Sequence, residues 1–201
     1  MITAPEALDR LKAGNARFVA NIGGAAPVDH DRRAEQATGQ APFAIILGCS
    51  DSRVPAELVF DQGLGDLFVI RVAGNIVAPS QVGSVEFAAE KFNTRLVVVL
   101  GHTQCGAIDA TVDELKRVSS AGSRNLASIV NRVRPSVEGL MAAYGHDRAT
   151  LTREAVRANI RASVNHLRHG SELLENHIGK GLLVVGAEYS LETGVVEFFP
   201  G

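Results

Sequence analysis

Ala44-Ile45-Ile46-Leu47-Gly48-Cys49-Ser50-Asp51-Ser52-Arg53 decides the reading of this chain. An apolar run with branched residues on successive positions fits an extended strand buried on both faces, as in parallel sheets. It stops abruptly in a thiol, a carboxylate and a guanidinium, at the strand end where open α/β sheets place their chemistry. Leu96-Val97-Val98-Val99-Leu100-Gly101-His102-Thr103-Gln104-Cys105-Gly106 repeats the pattern. Two buried strands therefore carry Cys49, His102 and Cys105 to comparable positions.

Outward from these two stretches, strands are expected over 43–48, 66–72, 95–100, 181–187 and 195–199. Helices are expected over 5–20, 79–92, 106–118, 124–143, 150–169 and 171–178, with a short one after Pro55 and another around 32–37. Pro135 should break the helix of 124–143. Thr150 or Thr152 should open the next one. Residues 21–42, with Gly23, Gly24, Pro27 and Pro42, read as a linker, and 119–123 as a loop. The turn at Thr193-Gly194 makes the last strand an antiparallel partner of the one before it. The expected fold is α/β: about four parallel strands plus an antiparallel C-terminal edge strand, helices on both faces, and an N-terminal helical arm. The 201 residues are read as one domain, with 1–40 as arm and linker and 41–201 as core. The first helix could pack on its own domain or on a neighbouring subunit.

Cys, His and Cys form a three-donor set for zinc, with the fourth tetrahedral position left to water. His102 and Cys105 come from one loop; Cys49 must come from another strand end. Gly106 permits close backbone approach, and the helix start behind it favours a thiolate at Cys105. Two thiolates cancel the charge of Zn²⁺ and make it a weaker acid than one held by three imidazoles, so outer groups gain importance. Asp51 and Arg53 can supply them. A carboxylate can orient the fourth ligand, and Arg53 can hold that carboxylate off the metal by a bidentate pair. Released, Asp51 could take the fourth position itself. The plainer alternatives are a Cys49–Cys105 disulfide, and Asp51 acting only as a helix cap.

Cys49-Ser50-Asp51-Ser52-Arg53 together with His102-Thr103-Gln104-Cys105-Gly106 resembles the two signature motifs of the β-class carbonic anhydrases. Arg71-Val72-Ala73-Gly74-Asn75 matches the segment after that family's second strand. Val185-Gly186-Ala187 followed by Thr193-Gly194 looks like its C-terminal hairpin, so the likeness spans nearly the whole chain. It implies an enzyme with one Zn²⁺ per chain, which hydrates CO₂ reversibly to bicarbonate and a proton by attack of zinc-bound hydroxide. By resemblance, Cys49, His102 and Cys105 bind the metal, and Asp51 with Arg53 forms the orienting catalytic pair. Gln40, Phe68 and Gly106 line the substrate site. Phe87 stands where many members have Tyr, and Ile46 where the bicarbonate-regulated subgroup has Trp, which points to the plant-like subgroup. The family implies self-association as a homodimer or dimer of dimers, with the N-terminal helix embracing the partner.

A net charge of −2 gives no general attraction to nucleic acid or anionic membrane. Apolar runs of about five to seven residues fall far short of the roughly 20 a membrane helix needs. Residues 1–6 lack a basic-then-apolar leader pattern, and only two cysteines occur, so a reduced, cytoplasmic protein is expected. His166 and His169 share a helix face but read as solvated. His30 lies in the linker, where it could act as a proton relay, and the arginines of 124–134 and 153–161 read as exposed helix faces rather than a nucleic-acid site. Two rival functions keep the same scaffold: COS or CS₂ hydrolysis, and a non-catalytic zinc-binding interaction protein.

Overall fold

Alternation along the buried strands builds the two layers of the molecule. The computed structural model describes residues 2–24, 30–116 and 123–199. Strands β1 (Ala44–Gly48), β2 (Leu67–Arg71), β3 (Leu96–His102), β4 (Leu183–Tyr189) and β5 (Val196–Phe198) form one sheet in the order β2-β1-β3-β4-β5. The first four are parallel and β5 is antiparallel to β4. Because side chains alternate across a strand, Ile45, Leu47, Val97 and Val99 face one layer, while Ala44, Ile46, Leu96, Val98 and Leu100 face the other. The first layer holds α4 (Pro79–Phe92), α5 (Gly106–Lys116), α6 (Arg124–Tyr144), α7 (Arg148–His169) and α8 (Glu172–Ile178). The second holds α1 (Ala4–Val19) and α3 (Ala56–Val59). The short α2 (His30–Gln36) precedes β1.

Helix α1 packs one face on its own sheet, the first of the two placements open to it. Its N-terminus is closed by a capping box between Thr3 and Glu6. Ala7 and Leu11 are buried against Ile46, Phe60 and Val98, and burying Leu11 fully contributes roughly 1.5–3 kcal/mol. Gly14 faces the Phe60 backbone so closely that a Cβ there would lie 1.8 Å from its carbonyl oxygen. Asn15 then spends its amide on three backbone groups. Nδ2 donates to the carbonyls of Val59 (3.1 Å) and Gly194 (2.8 Å), and Oδ1 accepts from the Val196 N–H (2.9 Å). The first helix thus fastens the last hairpin.

Two helix expectations are corrected. α6 runs unbroken through Pro135. Val133, Ser136 and Val137, flanking the proline, are buried, and packing on α5 and α7 outweighs a proline cost of about 3 kcal/mol. α7 begins earlier than expected and is capped by Asp147, whose carboxylate accepts from the N–H groups of Ala149 and Thr150; lying three residues upstream of the nearer expected cap, it reaches the free N–H groups first. The hydrogen bonds from Ala149, Thr150 and the Thr150 hydroxyl hold the Asp147 carboxyl below its ordinary pKa. Part of the expected linker (25–29), most of the loop at 119–123, the end of the helix expected to reach Val118 and the His30 side chain lie outside the described residues. No helix among the described residues is long and apolar enough to cross a membrane.

Candidate metal centre

From β1 the chain goes on to β2 on one side, while β3 lies on its other side. The crevice beyond the C-terminal ends of β1 and β3 is thus the switch point of the sheet, where open α/β folds bind ligands. Cys49 follows β1, His102 is the last residue of β3, and Cys105 immediately precedes α5. Their ligand atoms lie within 4.8 Å of one another. All three side chains are buried and both cysteines are free thiols, so the disulfide alternative is not realised.

The histidine is set by its neighbours. Nδ1 lies 2.9 Å from the Thr103 carbonyl; that oxygen can only accept, which assigns the proton to Nδ1 and leaves a lone pair on Nε2. Nε2 is buried and has no hydrogen-bond partner. A buried nitrogen lone pair left unpaired beside two sulfurs is costly unless a cation satisfies it. The donor set and this orphaned atom therefore fit a zinc ion. Thr103 is itself pinned by β4: its N–H donates to the Tyr189 carbonyl and its Oγ1 accepts from the Leu191 N–H, both at 3.0 Å.

Asp51 and Arg53 stand at the mouth. Arg53 Nε donates to Asp51 Oδ1 (2.9 Å) and Nη2 to Oδ2 (2.7 Å), a two-point grip reinforced by the Arg53 N–H on Oδ1 (3.0 Å). Asp51 Oδ2 lies 3.9 Å from His102 Nε2. The Arg53 hydrogen bond holds the Asp51 carboxyl well below the usual carboxylate range, against a smaller push upward from burial. At the two sulfurs, a hydrogen bond from the Cys105 thiol, with further help from His102 and the Gly74 N–H, lowers the Cys49 pKa; the same sharing raises that of Cys105. Burial would push His102 down, but the neighbouring Cys49 sulfur more than offsets it.

The structure thus gathers Cys49, Asp51, Arg53, His102 and Cys105, with Gly106 exposed at the first turn of α5. It does not gather Gln40 or Phe68 within one chain. Gln40 is exposed in the coil before β1, so the whole strand separates it from Cys49. Phe68 sits opposite Ile45 in the sheet, with its ring 6.1 Å from Phe87 and 6.0 Å from Phe92. Two participants have no role assigned by the motifs alone. Arg71 donates to the carbonyls of Cys49 (3.0 Å) and Asp51 (2.6 Å), and the Gly74 N–H points at Cys49 Sγ (3.3 Å). The sequence signals for Arg71 are a charged residue ending an otherwise apolar strand and its place in the family-like segment 71–75.

The family profile described as carbonic anhydrase matches residues 44–196. Carbonic anhydrase 2 of Mycobacterium tuberculosis is 40% identical over 185 residues, covering 92% of this chain and 87% of that protein. Among solved structures, the β-carbonic anhydrase CcaA superposes with a TM-score of 0.75 at 25% identity, covering 96% of this chain and 95% of that one. One of the tetrameric β-carbonic anhydrases of Sordaria macrospora shares the fold with a TM-score of 0.75 at 22% identity, over 84% of this chain and 86% of that one. Likeness of this extent, in sequence and in fold, makes this chain a member of the β-class carbonic anhydrase family.

Proposed function

We propose that this enzyme interconverts CO₂ and bicarbonate with one Zn²⁺ held by Cys49, His102 and Cys105. The observation that carries the reading is the orphaned Nε2 of His102, facing two thiols at the sheet's switch point. When bound, zinc supplies a nucleophile near neutral pH by lowering the pKa of water. The residues of the chain orient and hold. Asp51 Oδ2 accepts the hydrogen bond of the attacking water and aims its lone pair at the carbon of CO₂. Arg53 keeps Asp51 in that role and out of the metal's fourth position. Gly106 lets the substrate approach the backbone closely, since it carries no side chain.

Gln40 and Phe68, away from their own chain's cluster, are read as serving that of a neighbouring copy in a homodimer or dimer of dimers. Ile46, where the bicarbonate-regulated subgroup has Trp, and Phe87, where many members have Tyr, support the plant-like subgroup. The whole chain is taken as one catalytic domain.

Metal analysis and stopped-flow CO₂ hydration test the proposal. One zinc per chain, with activity lost to a chelator and restored by Zn²⁺, is expected. A chain that binds no zinc would overturn it, and a zinc-loaded enzyme that releases sulfide from COS without hydrating CO₂ would overturn the substrate.

Removing the grip on Asp51 should show which job Arg53 does. Arg53→Ala is expected to keep its zinc but lose activity by about 10- to 100-fold, the usual effect of deleting an outer partner of a metal site. Arg53→Lys should not rescue it, because a lysine retains the charge but not the planar fork. Full activity in Arg53→Ala would mean Asp51 holds itself in place, and full activity in Arg53→Lys alone would mean the charge suffices without the fork.

A further inference from the structure

We infer that Asn159 and Ser163 of α7 are positioning residues for the metal centre, acting through the turn that aims the Gly74 N–H at the Cys49 sulfur. The inference rests on the zinc reading above.

The turn is Ala73–Asn75, a single turn of 3₁₀ helix directly after β2. Gly74 is left-handed (φ +71°), and so is Asn75 (φ +42°), two successive residues in a region that L side chains rarely adopt. Glycine and asparagine are the residues that enter this region most readily, and hydrogen bonds fix the turn in place. Three hydrogen bonds hold it. Within the turn, the Asn75 N–H donates to the Val72 carbonyl (3.0 Å). From α7, Asn159 Nδ2 donates to the Gly74 carbonyl (2.8 Å), and Ser163 Oγ donates to the Asn75 carbonyl (3.1 Å). Asn159 and Ser163 are four apart, so they share one helix face, and they are only 2% and 5% exposed. With the peptides on both sides of Asn75 clamped, the Gly74 N–H upstream stays on Cys49 Sγ at 3.3 Å.

The surroundings admit little else. A Cβ at Gly74 would lie 3.0 Å from Ala107 Cβ and 3.4 Å from Val133 Cγ2. Helix α7 comes near enough because Ile160, beside Asn159, packs onto two glycines of the sheet; a Cβ at Gly101 would lie 2.5 Å from Ile160 Cδ1, and one at Gly186 2.7 Å from its Cγ2.

The chemical consequence concerns the sulfur. An N–H donor on a thiolate draws electron density from it, so the thiolate gives less to a bound metal and the metal stays a stronger Lewis acid. In a site with two thiolates that correction matters more than in one with three imidazoles. Nothing in this arrangement touches substrate; it sets how strongly one ligand donates.

The test is the cobalt-substituted protein, whose thiolate-to-metal charge-transfer band reports the sulfur directly. In Asn159→Ala and Ser163→Ala the band should move to longer wavelength, because the freed sulfur gives more charge to the metal, while the lost hold on the turn that positions Cys49 should lower zinc affinity, measured by competition with a chromophoric chelator, by about tenfold. Ser163→Thr, which keeps the hydroxyl donor, should restore both. If Asn159→Ala fails to fold, the Ser163→Ala and Ser163→Thr pair decides alone. A parent protein that binds cobalt with a thiolate band, beside variants whose band and affinity stay within twofold of it, overturns this inference and leaves the zinc reading standing, even if the variants melt earlier. A parent that binds neither cobalt nor zinc overturns both.

Discussion

Cys49→Ala, His102→Ala and Cys105→Ala are each expected to yield a folded protein without stoichiometric zinc and without measurable CO₂ hydration. Each substitution removes one of three donors whose atoms lie within 4.8 Å of one another. The two that remain cannot fix the metal, and water replaces the third poorly. His102→Ala should be the most telling. The ring is completely buried and its Nε2 has no hydrogen-bond partner, an unmet lone pair that a bound cation would satisfy. The fold should survive, because the sheet and its two packed layers hold together without a metal. Circular dichroism matching that of the parent, beside zinc content near zero, is the expected pair of results. Activity persisting in any of the three would overturn the ligand assignment.

Gly14→Ala should be the most damaging single-methyl change in the second layer. The added carbon would lie 1.8 Å from the Phe60 carbonyl oxygen and 2.8 Å from its carbon, and both are backbone atoms that cannot step aside. α1 must lift away, which strains the three Asn15 hydrogen bonds and opens Leu11 to water. A cost of about 3 kcal/mol is reasonable for overpacking that cannot relax. At about 2–4 °C per kcal/mol for a chain of this size, calorimetry should show the melting temperature falling by roughly 10 °C. Gly83→Ala on α4 is the control. A Cβ there meets nothing within 4 Å, and alanine outranks glycine in a helix by about 1 kcal/mol, so that variant should melt higher. Equal stability of the two variants would mean that α1 does not rest on the sheet as described.

The sheet was readable because β1 and β3 are buried along their whole length, so composition alone marks them. β4 is read two residues early. Gly181 and Leu182 continue the apolar run, but Gly181 is left-handed (φ +94°), and sheet pairing starts only where the Leu183 N–H meets the Arg95 carbonyl. Pro135 misleads because local cost is visible in a sequence and tertiary packing is not. The same divide runs through the metal centre. Cys49, His102 and Cys105 stand out as scarce residue types at strand ends. The contacts made by Arg71, Gly74 and Asn159 bridge 22, 25 and 85 residues, and no local pattern announces them. Gly14 and Asn15 are equally silent: within a helical pattern a glycine reads as a weak point and an asparagine as surface, whereas here one permits contact and the other makes it.

The Asn15 amide also sets a timetable. Its bonds to Gly194 and Val196 join residues 179 and 181 positions apart. During synthesis at about 5–20 residues per second, the helix made first waits on the order of ten seconds or more for the hairpin it fastens. Until then its Ala7–Leu11 stripe has no finished surface to cover, and the outer strand of the sheet has no latch. The nascent chain therefore carries an unsealed layer until its last strand emerges, and this is the interval in which a chaperone or a neighbouring copy would meet it.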